Sequence, residues 1–107
     1  MKIILASAIV ALLLAPAAAR SATPAVTIKN DAFAPHSLTV TAGQTVTFTN
    51  ADDDAHTVTA NDGSFDSKGL DTHGVWRHTF TQPGSYRYFC ELHPFMKGTI
   101  VVQSGVR

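Results

Sequence analysis

The chain has 107 residues, eight basic and eight acidic side chains, and one cysteine. That length supports one small domain with one compact site and leaves no room for a separate substrate lobe. The basic residues Lys29, Lys68, Arg77, Arg87, Lys97 and Arg107 are scattered, which argues against a nucleic-acid surface.

Taken in chain order, Met1-Lys2 precedes an apolar run from Ile3 to Leu14 and then Pro16-Ala17-Ala18-Ala19. This is the basic, apolar and small-residue order of a secretory signal, with cleavage expected after Ala19 and residues 20–107 forming the mature domain. A membrane span needs roughly 20 apolar residues, whereas this run is broken by Ser7 and closed by Pro16. No cysteine follows the run to take a lipid, so the expectation is a soluble protein in the periplasm or otherwise exported, with no membrane insertion. Loss of Lys2 leaves seven basic against eight acidic groups. Small exported domains usually pair their thiols, and a lone cysteine cannot do so internally, so Cys90 calls for another role.

Arg20 to Pro24 reads as a short leader, and from Ala25 onward apolar and polar residues alternate with the period of a strand. Val26 and Ile28 alternate, then Leu38 and Val40, and Ala42-Gly43-Gln44 turns the chain into Val46 and Phe48. Further strands are expected at His56 to Thr59, Val75 to Thr81, Tyr86 to Cys90 after a Gln82-Pro83-Gly84 turn, and Thr99 to Val102. The connection Asn61 to Gly74 lacks this rhythm and has room for one weak strand or a helical turn. The expected architecture is all-β: a Greek-key sandwich of two antiparallel sheets with seven to eight strands.

The chemistry concentrates in Tyr88-Phe89-Cys90-Glu91-Leu92-His93-Pro94-Phe95-Met96, where a strand ends at Cys90 and a short loop presents His93 and Met96. A thiolate, two imidazoles and a weak axial thioether form a trigonal site suited to copper, because soft sulfur favours Cu(I) while imidazole serves both oxidation states. The second imidazole is expected from His56, which opens a strand after Asn50-Ala51-Asp52-Asp53-Asp54. His36, His73 and His78 are alternative sources. His36 and His73 lie in turn-rich sequence and read as surface residues, while His78 is in register with Trp76 and Phe80 on a face that points inward.

This arrangement resembles the cupredoxins, the type 1 blue copper proteins, and the loop Cys90-x-x-His93-Pro94-Phe95-Met96 is most similar to that of the amicyanin- and plastocyanin-like members. The likeness extends over residues 26 to 102, through Phe33-x-Pro35, Leu38-x-Val40, Gly43, Val46-x-Phe48-x-Asn50, His56-x-Val58 and Pro83-Gly84-x-Tyr86. The resemblance implies one copper ion held by His56, Cys90 and His93, with Met96 as the axial thioether. It also implies that Asn50 steadies the site by hydrogen bonding near the cysteine sulfur. Where the family often has Pro before the first histidine ligand, this chain has Ala55.

The function expected is single-electron transport between redox partners that dock briefly at the His93 end, by a monomer and not an enzyme. An enzyme needs a second copper or an open coordination position, and the other histidines are too scattered to build one. The alternative is an exported copper carrier or buffer. Tyr86 and Tyr88 share the inward face of Cys90, Tyr86 being placed to make a tyrosine corner, while Phe89 points outward. Asp52-Asp53-Asp54 reads first as a solvated turn and second as a patch that steers a basic partner.

Overall fold

A computed structural model describes residues 23–105, so the expected signal segment lies outside the described residues. Eight strands follow one another: β1 Ala25–Lys29, β2 Ala32–Ala34, β3 Ser37–Thr41, β4 Thr45–Asn50, β5 Thr59–Ala60, β6 Val75–Thr79, β7 Gly84–Phe89 and β8 Lys97–Gln103. Alternation decides which way each strand faces. Val26 and Ile28 of β1, Val46, Phe48 and Asn50 of β4, and Gly98, Ile100 and Val102 of β8 are buried, while their chain neighbours are half-buried or exposed. Two four-stranded sheets result, ordered β2-β1-β4-β6 and β3-β8-β7-β5, with their apolar faces packed together.

The sheets are mixed where antiparallel sheets were expected. β1 runs parallel to β4, with Val26 opposite Phe48, and β3 runs parallel to β8, with Leu38 opposite Ile100. The reason is connectivity: the chain crosses from one sheet to the other after β2 and returns after β3, so strands of like direction become neighbours. The aromatic centre of the core is Tyr88, which meets Phe33 edge-on at 4.7 Å and Phe48 at 5.7 Å between ring centroids. Tyr86 makes the expected corner, its hydroxyl donating to the carbonyl of Gln82 at 2.7 Å.

A strand was expected over His56 to Thr59, whereas β5 is only Thr59–Ala60 and His56 forms an isolated bridge with Leu70. The connection between β5 and β6 is therefore tied down: Phe65 and Leu70 are buried, and Thr59 bridges Asp66. That connection covers part of the open side between β5 and β6, with Phe65 packed against Trp76 and His78, and brings Leu70 beside the candidate site.

Candidate metal centre

Four segments meet at one end of the sandwich: the β1–β2 turn, the loop after β4, the residues before β6 and the β7–β8 loop. Asn50, at the end of β4, organises the second of these. Its backbone donates to Gly74 and accepts from His73. Its side-chain amide donates to the carbonyls of Asp54 and Leu70, both at 2.8 Å, and its side-chain oxygen accepts from the Asp52 amide at 2.9 Å. Residues 51–55 are thereby folded into a compact loop that delivers His56 to Leu70, where the two residues exchange backbone hydrogen bonds.

The steadying role expected of Asn50 is present, but its bond near the cysteine sulfur is not. The amide of Thr57 donates to Cys90 Sγ at 3.3 Å instead, because the polar atoms of the Asn50 side chain are all engaged within the loops. Thr57 also ties the two ligand loops together, its hydroxyl accepting from the Glu91 amide at 2.8 Å. Cys90 continues the inward face of Tyr86 and Tyr88 past the end of β7 and is fully buried. Successive turns then fold the loop, with His93 donating to the Cys90 carbonyl, Met96 to that of His93, and Cys90 back to that of Met96.

Cys90 Sγ lies 3.6 Å from His56 Nδ1 and 3.7 Å from His93 Nδ1, and the three donor atoms all fall within 4.8 Å of one another. An ion bonded to nitrogen at about 2.0 Å and to sulfur at about 2.3 Å in a trigonal arrangement separates the two donors by about 3.7 Å, so the spacing fits a shared ion. Met96 is buried in the same core at 2 % exposure. A thiol, two ring nitrogens and the thioether of Met96 form the donor set that suits copper.

The far side of His56 carries a feature that sequence reasoning missed. His56 Nε2 bonds Asp52 Oδ2 at 2.9 Å, and Asp31 Oδ1 stands 3.6 Å away. With its Nε2 proton donated to a carboxylate, His56 presents the Nδ1 lone pair to the site. The amide of Asp31, and then the His56 ring, hold the Asp52 carboxyl down to about 2 against a smaller opposing effect of burial. Asp52 was read as turn or steering charge. Its place four residues before His56 was the available signal, but nothing in the sequence placed Asp31 opposite it.

His93 is half-buried and meets Phe95 edge-on at 6.0 Å between ring centroids. Leu92 and Phe95 are 57 % and 67 % exposed beside it. His36 and His73 are exposed and join no donor cluster among the described residues. His78 is half-buried, stacked on Trp76 at 5.2 Å and edge-on to Phe80 at 4.8 Å, on the rim of a cavity lined also by Phe65 and Tyr86. Phe89, expected outward, is half-buried.

The fold agrees with that of known proteins. The chain belongs to the family of cupredoxin-like domains, whose model matches residues 2–102. It is 34% identical over 71 residues to amicyanin from Paracoccus versutus, an alignment covering 62% of this chain and 54% of that protein. The chain thus matches little more than half the length of that curated relative. Among solved structures, a reduced Cu(I) variant of amicyanin is 29% identical with a TM-score of 0.71, covering 81% of this chain and 88% of the other. A copper-containing nitrite reductase from Thermus scotoductus is 30% identical with a TM-score of 0.74, over 81% of this chain but 24% of the enzyme.

Proposed function

We propose that this chain is an exported type 1 copper protein that carries single electrons between redox partners. The ligands would be His56, Cys90 and His93, with Met96 as the axial thioether. The observation that carries this reading is the buried Cys90 thiol with two ring Nδ1 atoms at 3.6 and 3.7 Å. Copper bound there supplies a one-electron couple.

The protein's part is to hold the donors. The Asn50 network and the His56–Leu70 bridge fix one loop, and the turns of residues 90–96 fix the other. Donors held by backbone and core packing move little between oxidation states. The Thr57 amide stabilises negative charge on Cys90 Sγ, and full burial keeps that sulfur from water and from other thiols. His93, ringed by exposed Leu92, Pro94 and Phe95, offers the path by which electrons reach a docked partner. A small apolar patch of this kind suits brief association, typically below about 1,200 Å².

A carrier reading is favoured over an enzyme because the other donor clusters among the described residues reuse His56 and His93. Export rests on the order of residues 1–19 and is tested by fractionation and by the mass of the mature N-terminus. The central experiment is a visible and EPR spectrum of the Cu(II)-loaded protein with a redox titration. An intense thiolate-to-copper band and a reversible one-electron wave are expected. A colourless or redox-inert protein would overturn the electron-carrier reading in favour of copper storage or delivery.

A further inference from the structure

The β1–β2 hairpin closes with a two-residue turn, since Lys29 pairs with Ala32, and both turn residues take left-handed backbone angles: φ is 53° at Asn30 and 55° at Asp31. Asn and Asp are the non-glycine residues that tolerate this geometry. The turn puts Asp31 at the metal-centre end of the molecule with two contacts. Its amide donates to Asp52 Oδ2 at 2.9 Å, the same oxygen that bonds His56 Nε2, and its own carboxylate lies 3.6 Å from that nitrogen. Asp31 also forms a second group with Asp54 and His93 whose polar atoms fall within 4.8 Å of one another. One carboxylate therefore stands beside both histidine rings of the centre. Among the described residues no Lys or Arg ion pair neutralises Asp31 or Asp52, and the nearby Lys29 ammonium is bonded to the Ala51 carbonyl.

We propose that Asp31 is a positioning residue of the metal centre, holding Asp52 on the distal nitrogen of His56 and adding a second negative charge that favours the more positive, oxidised state of the site. The inference rests on the copper reading above. Its sign follows from electrostatics: a fixed anion a few ångströms behind a ligand ring stabilises Cu(II) relative to Cu(I), and a carboxylate accepting the ring proton makes the imidazole a stronger donor. Asp52 acts through its direct bond, whereas Asp31 acts through its backbone on Asp52 and through its charge on both rings.

The test compares Asp31→Asn, which keeps the turn and the backbone N–H but removes the charge, with Asp62→Asn, the same charge change in the exposed turn beyond β5. Asp31→Asn is expected to lower the ratio of Cu(II) to Cu(I) affinity about fivefold, a rise in potential of roughly 40 mV at 59 mV per tenfold, shrinking in high salt. Asp62→Asn is expected to leave the potential in place. In the metal-free protein, NMR should show the His56 Nε2 proton protected in wild type and in Asp31→Asn, but exchanging freely in Asp52→Ala. An unchanged or lowered potential in Asp31→Asn, with the thiolate band intact, overturns this inference while leaving the copper reading standing. A wild-type protein without the thiolate band removes both.

Discussion

Cys90 and Gly98 are single positions with sharply different burdens. Cys90→Ser is expected to abolish the thiolate band while the sandwich folds, since the side chain is buried and the two are nearly isosteric; visible absorption and far-ultraviolet dichroism read the two halves of that statement. His56→Ala should lose or alter the band, whereas His36→Ala and His73→Ala should leave it unchanged, because those two rings are exposed and outside the donor cluster. Gly98 is required for a reason of space: a Cβ there would run into the Tyr88 ring and hydroxyl. Gly98→Ala is expected to cost about 1–3 kcal/mol in denaturant unfolding. The Tyr88 hydroxyl it would strike is buried with no hydrogen-bond partner among the described residues, and burial pushes its pKa up. Tyr88→Phe should therefore stabilise the protein by about 1 kcal/mol and relieve part of the Gly98→Ala defect.

At the scale of an element, β6 carries the most telling side chain. Its inward residues Trp76 and His78 are only half-buried, because β6 is an edge strand and the connection before it covers it incompletely. Burial holds His78 below the ordinary histidine value of 6.5. The unfolded chain therefore binds a proton that the folded chain refuses, and stability falls as pH drops below about 6.5 toward the folded value. His78→Phe is expected to keep the aromatic stack and to show a smaller loss of melting temperature between pH 7.5 and pH 5 than wild type. An equal loss in both would place the acid sensitivity elsewhere. The corner at the start of β7 has a plainer role, and Tyr86→Phe should cost about 1 kcal/mol through the lost bond to Gln82.

For the molecule as a whole, the centre is held by loops that arise from both sheets, so ion binding and folding are coupled. Copper loading is expected to raise the melting temperature, and a chelator to reverse the rise; free ion at 1,000 times the dissociation constant adds about 4 kcal/mol. The same end of the molecule bears the apolar patch of Leu92, Pro94 and Phe95. Phe95→Ala should slow electron exchange with a protein partner while leaving the thiolate band in place, because the side chain is 67 % exposed and lies outside the donor set.

The residues from Cys90 to Met96 were legible without coordinates because their spacing is local: a strand end and a tight loop bring donors three residues apart to one place whatever surrounds them. The strands were legible for a similar reason, since period-two alternation reports a face against a core, and Val26, Ile28, Val46 and Phe48 are buried accordingly. His56 required the fold and its family resemblance, because it and Cys90 stand 34 positions apart in sequence, a separation spanned only by packing two sheets. Strand direction, the Thr57 bond to sulfur and the Asp31–Asp52 grip on His56 were decided by tertiary structure alone. Each joins backbone or side-chain groups far apart in the chain, and a carboxylate in a turn looks the same in sequence whether it faces water or a ligand ring.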